Sequence, residues 1–331
     1  MKNLTKILFA LIVLCFITQS ASSQDIQKPY LGLLEHPTEL NKKRFWVASG
    51  LSLVGYTGTM LALNQAWYAD YPKTDFHTFN DWGEWENMDK AGHLFSAYTE
   101  SALAFQVASW TGMNNKQSAL TAFGVSTLIQ SSIEVLDGYS DNWGFSWYDL
   151  GANTLGSALY TAQQLAWKEQ RIRIKFSYTP INHSDASIKA KNTEKESSLK
   201  DRAEEQFGTF LPERILKDYS AQTYWLSVNP SSFLSQENKF PKWLNLSVGY
   251  GAQQILGAYG NGWSRGNSIF RPENYERERQ LYFSFDLDLR KIKTRNKTLR
   301  KILNTLNFIK IPSPTIEFNS NGKTIWHLLY F

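Results

Sequence analysis

Residues 45–69 contain no charged side chain, and their apolar and small residues show no polar face, as in a helix buried all round or immersed in lipid. Phe45-Trp46 open this stretch and Trp67-Tyr68 close it. At about 1.5 Å per residue the aromatic pairs stand roughly 30 Å apart, near the hydrocarbon thickness of a bilayer. Helical spacing predicts three more helices, over 89–110, 116–136 and 147–167. All four are rich in Gly, Ala, Ser and Thr, which lets helix backbones approach closely. From Arg171 the period changes to two, as in a half-buried strand. Later strand candidates are 223–228, 243–251, 280–290, 315–318 and 324–330. Leu281, Phe283, Phe285, Leu287 and Leu289 share one face of the fourth of these six strands, so that face meets core or lipid. Residues 296–306 suit a short helix, and Asn319-Ser320-Asn321-Gly322 a turn.

The expected fold is α+β: an N-terminal four-helix bundle of small-residue-rich helices (45–170) followed by an antiparallel β-sheet region (171–331). Residues 182–205, polar and nearly without large apolar side chains, read as a flexible insert. About six strands are too few for a minimal eight-stranded barrel, although an alternating strand ending on Phe331 is a feature of outer-membrane barrels. A small sheet packed on the bundle is the preferred arrangement.

The basic start and the apolar run 7–17 mark residues 1–23 as a secretory signal peptide, with 24–44 an exposed lead-in. Cys15 is the only cysteine. It follows Leu14 inside a run that continues past it, so it is expected to leave with the signal, and a mature chain without thiols has neither disulfides nor thiolate metal sites. The net charge of +5 is not gathered into a stripe with interleaved aromatics, which argues against a nucleic-acid partner. An anionic membrane surface or bilayer fits better. No protein partner is indicated. Basic residues flanking the first and fourth helices would suit a four-span protein with both ends in the cytoplasm. A cleaved signal contradicts that topology and favours a bundle exported whole to the periplasm or outer membrane.

Candidate chemistry concentrates between residues 87 and 155. Asp89 with His93, Gln130 with Glu134, and Asp149 with Asn153 are polar pairs four residues apart, each on one helix face. The turn-rich link Asp137-Gly138-Tyr139-Ser140-Asp141-Asn142-Trp143-Gly144 would bring Glu134 and Asp137 near Asp149. Asp89-Lys90-Ala91-Gly92-His93, Glu134-x-x-Asp137-Gly138, Trp143-Gly144-Phe145-Ser146-Trp147 and Asp149-x-x-x-Asn153-x-x-Gly156 resemble domain-of-unknown-function family 2279, uncharacterised predicted periplasmic lipoproteins. Phe240-Pro241-Lys242-Trp243-Leu244-Asn245, Val248-Gly249-Tyr250-Gly251 and Ile309-Lys310-Ile311-Pro312-Ser313-Pro314 extend the resemblance. The Asp-Lys-x-x-His element is more faintly similar to VanZ-type membrane proteins. The family resemblance implies an envelope location and no established activity.

Two readings of the cluster follow. In the first it is a buried network that fixes helix packing in an envelope protein with a structural or binding role at a membrane. In the second the protein is a membrane-side hydrolase or transferase acting on a lipid headgroup or cell-wall precursor. There His93 is general base or acid, oriented by Asp89 and assisted by Glu134, with Asp137, Asp149 and Asn153 in the supporting network and Lys90 against a phosphate. One histidine among carboxylates suits a hard or borderline cation, but no paired ligand motif such as His-Glu-x-x-His is present, so no metal set or cofactor is assigned. His36, His77, His183 and His327 stand alone in the sequence and are expected to be exposed.

Overall fold

The computed structural model describes residues 36–68, 71–235 and 237–331. The expected signal peptide, Cys15 and most of the lead-in lie outside the described residues. The chain forms two compact units: Met1–Asp81 with His93–Gln170, and Trp82–Gly92 with Arg171–Phe331.

The first unit is helical. Asn41 caps α1 (Lys42–Leu63) by accepting from the Arg44 amide. A single π-helical turn, Asn64–Tyr68, follows it. Helix α2 (Met88–Trp110) starts in the segment that belongs to the second unit and runs on into the first. An Asn114/Gln117 capping box opens α3 (Asn115–Gly138), and Ser146 caps α4 (Trp147–Trp167). The predicted four helices are therefore present. Small residues set their spacing: a Cβ on Gly156 would lie 2.3 Å from the Leu94 carbonyl oxygen. Ser126 donates to the Ala97 carbonyl at 3.0 Å and accepts from Ser157 at 2.9 Å, which ties α2, α3 and α4 together.

The unit is polar within and apolar without. Ser101, Ser118, Ser126, Gln130, Glu134 and Asn153 are buried, whereas Leu51, Val54, Leu61, Leu120, Leu128 and Leu155 are exposed. On α1 even Trp46 is 71% exposed. That helix is tied near its start and its middle: Arg44 lies 4.8 Å over the Trp110 ring, and Tyr56 bonds Ser132 at 2.7 Å. Helices α1 and α3 are each long and apolar enough to cross a membrane.

The second unit is built on one antiparallel sheet in the order β1-β4-β5-β8-β9-β10. Its strands are β1 (Ile172–Tyr178), β4 (Gln222–Val228), β5 (Leu244–Gln253), β8 (Glu278–Leu287), β9 (Ser313–Asn319) and β10 (Thr324–Tyr330). All six correspond to predicted strands. The predicted 280–290 strand ends early because Leu289–Lys291 turn into a 3-10 helix. The register gathers like residues in two adjacent rows. Ile174, Leu226, Val248, Phe283, Ile316 and Trp326 form one row across the sheet, and Arg173, Ser227, Ser247, Ser284, Thr315 and His327 form the row beside it on the other face. In the apolar row Phe283 and Trp326 are exposed, while in the polar row Ser227 and Thr315 are fully buried. Periodicity had left core or lipid open for the apolar face, and the structure keeps most of it outside. Asp286 and Lys175, both 0% exposed, pair at 2.7 Å in the interior. The free edge of β1 is covered where Phe176 pairs with Ile309, a protected edge in place of open backbone.

Three departures from the sequence expectations have local causes. Residues 182–205 carry the ribbon β2–β3 (Ile188–Lys189, Glu196–Ser197) and most of helix α5 (Leu199–Phe207). Polarity hid the Ser198/Asp201 capping box and the i, i+4 pair Ala203 and Phe207 that is buried against Leu256. A second short helix, α6 (Leu211–Lys217), and a ribbon, β6–β7 (Trp263–Arg265, Ser268–Phe270), also went unpredicted. Finally, Trp82–Gly92, assigned by pattern to the helical region, joins the sheet unit because Met88 is buried with Ala252 and Ile255, and the Trp85 amide donates to the Ala258 carbonyl at 2.7 Å. The predicted helix 296–306 is present as α7 (Lys297–Leu306).

Candidate functional site

His93, near the start of α2, occupies the interior of the helical unit with its side chain 19% exposed. Two carboxylates flank it: Glu134 Oε1 at 3.7 Å from Nδ1 and Asp149 Oδ1 at 3.8 Å from Nε2. Asn153 sets the ring's orientation. Its amide Nδ2 donates to Glu134 Oε1 at 3.3 Å, so its carbonyl oxygen is the atom turned to the imidazole, 3.1 Å from Nδ1. A carbonyl oxygen only accepts, hence Nδ1 carries a hydrogen, while Nε2 stands 3.8 Å from Asp149 Oδ1. Sequence spacing thus brings together His93, Glu134, Asp149 and Asn153.

Other predicted members have partners of their own. Asp137, expected in the same cluster, accepts from the Tyr68 hydroxyl at 2.7 Å. Asp89 and Lys90 fall in the second unit, where the Asp89 carboxylate accepts from Tyr219 at 2.8 Å and from Lys90 at 3.0 Å. Gln130 serves a different carboxylate, donating to Glu100 Oε1 at 2.8 Å.

Two residues that the sequence reading missed extend the network. Glu100 follows His93 by seven positions on α2, the same helix face, and also accepts from Ser126 at 3.2 Å. Burial pushes its carboxyl up to about 7, against the opposing pull of the Gln130 and Ser126 hydrogen bonds and of His93. A lone Glu without an i, i+4 partner gives no pattern to find. Asp81, buried, accepts from Ser146 Oγ at 2.6 Å; that oxygen in turn accepts from the Tyr148 and Asp149 amides and so holds the first turn of α4. The backbone at 77–79 reaches this point by pairing with Phe145, an approach that Gly144 permits, since a Cβ there would lie 2.5 Å from Phe79 Cβ.

Two of the histidines expected to stand alone have partners in the sheet unit. His327 Nε2 is 2.7 Å from Glu317 Oε2, and Glu317 also accepts from Gln280 at 2.9 Å. His183 Nδ1 lies 3.3 Å from the Tyr275 hydroxyl. Burial lowers the His183 pKa, with the nearby Asp218 pulling the other way.

The first unit therefore holds an oriented imidazole with a carboxylate on either side and a third carboxyl poised to titrate near neutrality. Such a set can relay or store a proton.

Residues 78–164 match the family of predicted periplasmic lipoproteins designated DUF2279. The matched stretch contains Asp81, His93, Glu100, Glu134, Asp149 and Asn153, and ends before the sheet. No curated protein and no solved structure matches the chain.

Proposed function

We propose that this chain, whose residues 78–164 match the predicted periplasmic lipoproteins, is a protein of the cell envelope with a structural or binding role at a membrane. The observation that carries the reading is the inverted sheet: most of its apolar row lies outside, while the rows on the other face bury Ser227, Ser247, Thr315, Asp286 and Lys175 around Trp225 and Tyr282. In water that partition forfeits hydrophobic burial of about 25 cal/mol per Å² of apolar surface, and a bilayer removes the penalty. The helical unit follows the same rule, with polar groups turned inward and leucines outward, as helices packed in lipid do. Cell fractionation tests this. The protein is expected to stay with membranes through high-salt and alkaline washes and to be released by detergent; release by salt alone contradicts the reading.

A second reading rests on the placement of His93 between Glu134 and Asp149. An imidazole so flanked suits general base or acid chemistry, and a membrane-side hydrolase or transferase acting on a lipid headgroup or cell-wall precursor would use it. His93→Ala and Glu134→Gln separate the readings. Loss of the folded helical unit assigns the cluster to packing. A folded variant unable to turn over membrane lipid or precursor that the wild-type chain converts assigns it to catalysis.

A further inference from the structure

One end of the sheet differs in charge from everything else in the chain. Residues 290–301, in the β8–β9 connection, contain seven Lys or Arg and no acidic residue. Against an overall charge of +5, the remaining chain therefore sums to 5 − 7 = −2. The connections at the opposite end of the sheet (179–221, 254–277 and 320–323) nearly balance, with eleven basic and ten acidic residues. Arg290, Lys291, Lys293, Arg295 and Arg300 line an open surface depression of about 610 Å³. Arg300 closes the loop by donating to the Thr294 carbonyl at 2.7 Å.

The same connection contains α7, whose apolar residues Leu299, Ile302, Leu303 and Leu306 follow the i, i+3, i+4, i+7 spacing of one face. Leu299, Ile302 and Leu306 are exposed, and Arg300, Lys301 and Asn304 occupy the other side by helical rotation. Antiparallel pairing of Leu244 with Leu287 places the β4–β5 connection at this end too, and there Phe233, Leu234 and Trp243 are exposed beside Lys239 and Lys242 in the sequence. Aromatic and cationic side chains gathered at one end of an apolar surface mark a membrane–water boundary.

We infer that the β8–β9 connection is a binding site for phosphate-bearing headgroups of anionic lipids, with the depression taking the phosphate and the apolar face of α7 entering the interface. The inference rests on the membrane reading above and adds the leaflet chemistry. Nucleic acid fits less well, because no aromatic residue lies between 290 and 301 to stack a base.

Flotation of the full-length protein with phosphatidylcholine vesicles, and with vesicles that also contain phosphatidylglycerol, tests it. The expected result is recovery with both kinds and a strong preference for the anionic ones that high salt removes. Lys293→Gln/Arg295→Gln/Lys301→Gln should lower partition onto anionic vesicles about one hundred-fold, at roughly five-fold per charge, while leaving partition onto phosphatidylcholine unchanged. Neutralising Lys189, Lys191 and Lys195 should leave the preference intact. Equal recovery with both vesicles overturns the inference and spares the membrane reading. Recovery with neither overturns the membrane reading and this inference with it. Full competition by millimolar inorganic phosphate shows a soluble-anion site and overturns the lipid assignment.

Discussion

The helical unit and the sheet unit both turn polar residues inward, yet they hold them differently. In the sheet the interior is locked: Lys175 and Asp286 are wholly buried and paired, and Ser227 and the Ile311 amide each donate to Asp286. In the helical unit the interior is a relay, in which Asn153 bridges His93 and Glu134 and the Glu100 carboxyl titrates near neutrality. Backbone requirements explain the contrast. Helices satisfy their own amides and carbonyls, so interior side chains are free to form a titratable network. A sheet must protect its edges, and this one commits the 308–310 backbone to covering β1.

Three variants probe that difference, in falling order of effect. Asp286→Leu leaves Lys175 as an uncompensated buried charge and should cost about 3–5 kcal/mol in denaturant unfolding, with much of it restored by adding Lys175→Met. An equal loss in the double variant would show that the pair itself supplies net stability. Glu100 gives a smaller effect, dependent on pH. Its carboxyl ordinarily titrates near 4.5 and here near 7, so between those values the folded state alone holds the proton, and stability falls as pH rises through the window. Glu100→Gln should remove about 1–3 kcal/mol of that slope, reduced because the group is partly exposed. An unchanged slope would place the carboxyl in water. Smallest is Leu246→Ser on the exterior, expected to shift unfolding in detergent-free buffer by no more than about 0.5 kcal/mol. A loss of several kcal/mol would mean that the apolar face is core.

Much of the fold was legible because periodicity is a local property. The α4 bounds followed from helical spacing between Trp147 and Trp167, and β8 from alternation. Alternation says which residues share a face but not which face is wet, so inversion of the sheet needed the register of six strands together. The site was legible in part for the same reason. Glu134, Asp149 and Asn153 met His93 through helical spacing, whereas the Asp89 partner, Tyr219, lies 130 residues away and leaves no trace in local pattern. Asp81 carries no spacing signal, and Glu100 only a seven-residue step from His93.

The central claim, that the apolar faces meet lipid, is tested most directly by single spin labels along β5 and β8 in protein reconstituted into bilayers. Labels at 246, 248, 281, 283 and 285 should collide freely with oxygen and weakly with a water-soluble nickel complex, while labels at the buried positions 247, 282 and 286 are shielded from both. Strong nickel collisions at 281, 283 and 285 would place that face in water and contradict the account.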